Sequence, residues 1–136
     1  IWVTGVQTCA LPIGTREFET CRYWVHYAEG SLMMQLLVKI YLERVGEPAQ
    51  ALLERVNGAV RMHLAYIEES LGSSQFLTGS TLTVADVQMS FPLEVSVAQG
   101  MLSDGQPRLT TLLARLHERP AYKAALAKGG PYAYAK

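Results

Sequence analysis

Apolar residues recur at steps of three and four over most of the chain, which is the period of a helix with one face turned to a core. From Arg16 to about Val45, one stripe runs Phe18, Cys21, Val25, Ala28, Leu32, Leu36 and Ile40. A second runs Trp24, Tyr27, Ser31, Met34, Val38 and Tyr41, and a third Tyr23, His26, Gly30, Met33 and Leu37. Together they predict one long helix, apolar almost all round beyond Leu32 and so covered on more than one side. Gly30 costs about 1 kcal/mol against Ala inside a helix, which implies a close approach there.

Glu47-Pro48 opens a second helix. Proline at the first helical position loses no hydrogen bond, and the acid suits the positive helix end. Its stripe is Leu53, Val56, Val60, Leu64, Ile67 and Leu71, with Gly72 as the C-cap. A turn this short implies antiparallel packing. The third helix, Val84 to about Ala98, has hardly any polar face and is expected at the centre. Pro92 lies inside it, so the spacing predicts a bend near Gln88; the rival reading ends one helix at Phe91 and starts another. Pro107 opens a fourth helix with Leu109, Leu112, Leu113 and Leu116 on its core side, stopping at Arg119 before Pro120. A short fifth runs to Gly129-Gly130, and residues 131–136 read as a loose tail.

Ile1 to Ile13 shows neither period. Val3 to Ile13 resembles the translation of a sequencing-library adapter and is set aside from the fold; the other reading is a natural short strand or linker. On the adapter reading Cys9 carries no meaning, the gene extends upstream and the chain is a fragment. The domain plan is then 1–13 adapter-derived, 14–130 a helical domain and 131–136 a tail.

Thr83-x-x-Asp86 is a capping box, in which Thr83 caps the Asp86 amide and the Asp86 carboxylate reaches back to the Thr83 amide. Leu82 and Val87 have hydrophobic-staple spacing. The wider string, Phe76-Leu-x-Gly-x-x-Leu-Thr-x-Ala-Asp86, resembles the conserved entry to the central helix of the glutathione transferase C-terminal domain. Tyr23-Trp-Val-His-Tyr-Ala-Glu-Gly-Ser-Leu-Met33 is similar to the first helix of that domain in a bacterial and fungal branch. Ser90-Phe-Pro-Leu93 and Arg119-Pro-Ala-Tyr122 also match family strings, and the resemblance covers about Phe18 to Ala127.

The resemblance implies an all-α, five-helix bundle of the glutathione transferase C-terminal-domain type. It implies a parent enzyme that conjugates reduced glutathione to electrophiles, with detoxification as its use. The family's thiol-activating Ser, Tyr or Cys belongs to an N-terminal thioredoxin-like domain, so no catalytic residue is expected in this chain. The substrate cleft is expected at Tyr23, His26, Tyr27, Gly30, Ser31 and Met33. Glutathione is expected as a substrate, with no tightly bound cofactor, and a homodimer as the assembly. The alternative is a non-catalytic interaction or regulatory module of the same fold.

Composition adds little against this. Lys plus Arg and Asp plus Glu each number 12, so nothing points to nucleic acid or an anionic membrane. The longest apolar run, Leu32 to Leu42, is broken by Gln35 and Lys39 and too short to span a bilayer. Two cysteines make no disulfide framework, and no two histidines or cysteines have metal-ligand spacing. A reducing cytoplasm is the default expectation. His26 reads either as a cleft residue or as a locally bonded one. His63 reads as core, His117 as a helix-end cation and Glu29 as solvated or paired with Arg22.

Overall fold

The computed structural model describes residues 13–134; the adapter reading of Val3 to Ile13 lies outside them save for exposed Ile13. Every regular element is helical: α1 Arg16–Tyr27, a π-helical segment Ala28–Met33, α2 Met34–Val45, a 3-10 turn Glu47–Ala49, α3 Gln50–Leu71, α4 Val84–Ala98, α5 Pro107–His117 and α6 Pro120–Gly129. α1, the π-helical segment and α2 are continuous and form the one long helix that the stripes require.

Thr15 starts α1, its Oγ1 accepting from the Phe18 amide at 3.2 Å. Gly46, at φ 77°, turns the chain out of α2, a conformation that costs glycine nothing. α3 then returns antiparallel: Tyr23 of α1 meets Tyr66 of α3, and Tyr27, a turn further along, meets the earlier His63. Gly72, at φ 55°, ends α3.

Cys21, Ala28, Leu32 and Leu36 on the first stripe are fully buried, and Phe18, Val25 and Ile40 pack half-buried around them. They meet Val60, Leu64 and Ile67 of α3, Met89 and Leu93 of α4, and Leu109, Leu112 and Leu116 of α5. Met34, Leu37, Tyr41 and Val45 of α2 are left exposed, so the helix that reads as apolar all round is covered on one side only by the described residues.

α4 runs unbroken through Pro92, touching α1, the π-helical segment, α2 and α5. It differs from the expected apolar rod. Val87 (56% exposed) and Phe91 (39%) face outward, while Asp86, Glu94 and Ser96 are buried. Each buried polar group has partners, which is what makes its burial tolerable. Ser96 Oγ donates to the Pro92 carbonyl at 2.8 Å. Asp86 completes the capping box and does more. Oδ2 accepts from the Thr83 amide at 2.9 Å and its hydroxyl at 3.2 Å, and Oδ1 accepts from the Leu77 amide at 2.8 Å. Burial nonetheless pushes the Asp86 carboxyl above its ordinary 3.8, against the lowering effect of those donors.

Two carboxylates with long-range partners complete the bundle. The α5 N-terminus is held by Glu68 of α3, which accepts from the amides of Arg108 at 3.0 Å and Leu109 at 2.9 Å. Glu94 accepts from His117 Nε2 at 2.8 Å, Tyr122 at 2.7 Å and Tyr132 at 2.5 Å. His117 is therefore bonded to a buried carboxylate and stacked on Tyr122, ring centres 4.4 Å apart, rather than merely ending a helix. The tail is docked rather than loose as far as Tyr134, which packs edge-on against Phe91 at 5.8 Å.

Candidate functional site

The site grows from one helix face. Steps of three and four along α1 and into the π-helical segment align Glu19, Arg22, Tyr23, His26, Tyr27, Gly30 and Ser31 around an open hollow of about 570 Å³. Gly30, without a side chain, helps keep it concave. A Cβ built there would meet nothing within 4 Å, so the close approach expected at Gly30 is absent among the described residues.

Behind the hollow, α1 and α3 are joined by an aromatic cluster. Tyr27 packs on Trp24 at 5.3 Å and on Tyr66 at 5.4 Å, and Tyr23 packs edge-on against Trp24 at 5.1 Å. The Tyr23 and Tyr66 hydroxyls share a hydrogen bond of 2.9 Å. Burial first, then that bond, pushes the Tyr23 phenol up to about 12. The Tyr27 hydroxyl bonds His63 Nδ1 at 2.5 Å. Burial raises the Tyr27 phenol and lowers the His63 imidazole. Both groups thus stay neutral at neutral pH. Arg22 pairs with Glu19 at 2.7 Å, so Glu29 is not its partner; Glu29 accepts from Gln88 of α4 at 2.5 Å.

Of the expected cleft residues, Tyr23, His26, Tyr27, Gly30 and Ser31 line this hollow, whereas Met33 packs against the core. His63 and Tyr66 are the residues that sequence reading missed here. His63 is half-buried at the helix interface, not core. Its signal was the antiparallel return of α3, which brings residues near 63 and 66 to the aromatic turn of α1. No cluster of His, Cys, Asp or Glu among the described residues can hold a metal, and no described helix is long and apolar enough to cross a membrane.

Comparison supplies the family. The model of the glutathione S-transferase C-terminal domain matches residues 32–129. The chain belongs to that family. Solved structures agree with the fold. A glutathione S-transferase from Actinobacillus pleuropneumoniae superposes with a TM-score of 0.79 at 22% identity, over 96% of this chain and 59% of its own. A glutathione transferase from Phanerochaete chrysosporium, in complex with oxidized glutathione, gives 0.75 at 20% identity over 90% and 58%. One from Methylobacillus flagellatus with glutathione bound gives 0.72 at 19% over 83% and 58%. This glutathione S-transferase domain thus spans under two thirds of the length of those structures. A comparison with curated proteins gives no match.

Proposed function

We propose that this domain supplies the second-substrate hollow of a glutathione transferase that conjugates reduced glutathione to electrophiles, working as a cytoplasmic homodimer. The observation that carries the reading is the hollow itself. Aromatic Tyr23 and Tyr27, exposed His26 and half-buried Ser31 line a concave face of a helix in a glutathione S-transferase C-terminal domain. The two aromatic rings give a small electrophile a face to pack on, and Glu19, Arg22, His26 and Ser31 give it polar partners. The exposed apolar row on α2 is the surface the second subunit covers in this proposal.

Conjugation needs the glutathione thiol bound, aimed and deprotonated. A thiol with pKa about 8.5 is mostly protonated at neutral pH, so a donor must stabilise the thiolate. The Tyr23 and Tyr27 hydroxyls are already hydrogen-bonded to Tyr66 and His63 at the helix interface. Thiol activation is therefore assigned to a thioredoxin-like domain outside these residues. The test is a conjugation assay with a chromogenic electrophile, on the chain alone and on the chain joined to the N-terminal domain of the glutathione-bound Methylobacillus flagellatus relative. Turnover is expected only from the joined protein. Glutathione-dependent turnover by the chain alone overturns the proposal.

A further inference from the structure

The proposed function uses Tyr23 and Tyr27 and leaves Tyr66 of α3 without a role, although Tyr66 is 42% exposed and Tyr23 46%. Both line a second hollow of about 560 Å³, which lies between α1 and α3 towards the start of α1. Trp24 and Leu77, nearly buried, back it, and exposed Arg16 and Ser70 complete its edge. Glu19 and Tyr23 belong to both hollows, so the two adjoin and Tyr23 is a wall they share. The 2.9 Å bond between the Tyr23 and Tyr66 hydroxyls ties that wall to α3. An α-helix rises about 1.5 Å per residue, so from Arg16 to Ser31 the two hollows follow roughly 20 Å of helix. A single aromatic ring fills only part of that length. Rigid fused rings cannot bend around Tyr23, whereas two rings on a flexible link can lie one on each side of it.

We propose that the two hollows form one groove divided by Tyr23, and that it favours electrophiles carrying a second aromatic ring on a flexible link. The electrophilic end lies in the first hollow and the remote ring against Tyr66 in the second. Tyr66 and Ser70 are then specificity-determining residues. The remote ring gains apolar burial on aromatic walls, a gain that a single-ring electrophile does not make. The inference rests on the first hollow being the second-substrate site.

The experiment is steady-state conjugation, by the joined protein, of benzyl isothiocyanate and of 4-(2-phenylethyl)benzyl isothiocyanate. In both, the glutathione thiolate adds to the isothiocyanate carbon and the nitrogen takes up a proton, with no leaving group. The ethylene link insulates the reacting group from the remote ring. Burial of about 55 Å² of that ring corresponds to roughly tenfold in affinity, so the two-ring electrophile is expected to show a KM lower by that factor. Ser70→Lys fills the second hollow from an exposed position near the end of α3, where a cation suits the helix dipole. It is expected to remove the two-ring advantage and to leave the KM of benzyl isothiocyanate and of glutathione unchanged. Ser70→Ala fills nothing and is expected to keep the advantage. Equal KM values for the two electrophiles, an advantage that survives Ser70→Lys, one lost equally in Ser70→Ala, or a parallel rise of all three KM values in Ser70→Lys overturns the inference. In each of those cases conjugation of benzyl isothiocyanate leaves the proposed function standing. Conjugation of neither probe overturns the proposed function and the inference with it.

Discussion

Asp86 shows how one side chain can hold a loop and a helix together. Its carboxylate accepts from two backbone amides and a hydroxyl, tying the turn before α4 to the helix start. Removing it leaves buried amides without partners, each costing about 1–3 kcal/mol, whereas losing the Thr83 hydroxyl removes an ordinary cap of about 1 kcal/mol. Asp86→Ala is therefore expected to destabilise by about 2–4 kcal/mol and Thr83→Ala by about 1 kcal/mol, read from thermal or urea unfolding; equal small losses would refute the ranking. The reciprocal box was legible from Thr83-x-x-Asp86, because caps depend on near neighbours in sequence. The Leu77 amide was not, since nothing local places it against Asp86. Glu94 was missed for the same reason. Its partners His117, Tyr122 and Tyr132 arrive from later segments. Burial, then the bond to Glu94 and its charge, pushes the Tyr122 phenol from 10.0 up to about 12. A phenol raised in the folded state contributes stability that is complete below pH 10 and is lost as pH rises through about 12. The advantage of the natural chain over Tyr122→Phe should hold up to that lower pH and shrink above it in alkaline denaturation; an advantage that grows across this window would contradict the assignment.

Between elements, the long-range caps are what periodicity does not reveal. The stripes gave α1, α2 and α3 their core faces correctly, since Cys21, Leu36, Val60, Leu64 and Ile67 are all buried. They misjudged α4, because they counted apolar residues without asking what lies opposite them. Val87 and Phe91 share a face that the described residues cover only in part, and the interior side of the same helix carries Asp86 and Ser96, satisfied locally, and Glu94, satisfied from later segments. The docking of α5 on α3 rests on Glu68, whose carboxylate meets two amides of the α5 first turn where the helix dipole favours an anion. Glu68→Ala should cost about 1–2 kcal/mol, while Glu68→Gln retains an acceptor and should cost less. Urea midpoints of the two variants check this, and an Ala variant as stable as the natural chain would show that water replaces the cap without loss.

Across the whole molecule, the five-helix bundle was legible because core stripes and helix punctuation agree along the chain. The family came from strings that local physics alone would not single out. The residues around the hollow were legible as a group because Tyr23, His26, Tyr27, Gly30 and Ser31 fall on one helical face; Met33 departs because the same winding turns it to the core. The account makes the hollow, not the bundle's stability, the seat of function, and Gly30 allows the two to be separated. A Cβ there meets no neighbour within 4 Å and has no positive φ to strain it, and glycine in a helix costs about 1 kcal/mol against Ala. Gly30→Leu should therefore fold at least as stably as the natural chain while filling the hollow. The decisive measurement is steady-state conjugation by the protein joined to a thioredoxin-like domain, varying electrophile and glutathione in turn. The account predicts that Gly30→Leu raises the electrophile KM by roughly tenfold, the loss of about 1.4 kcal/mol of binding, and leaves the glutathione KM unchanged. Unchanged electrophile saturation in a stably folded Gly30→Leu protein would contradict it.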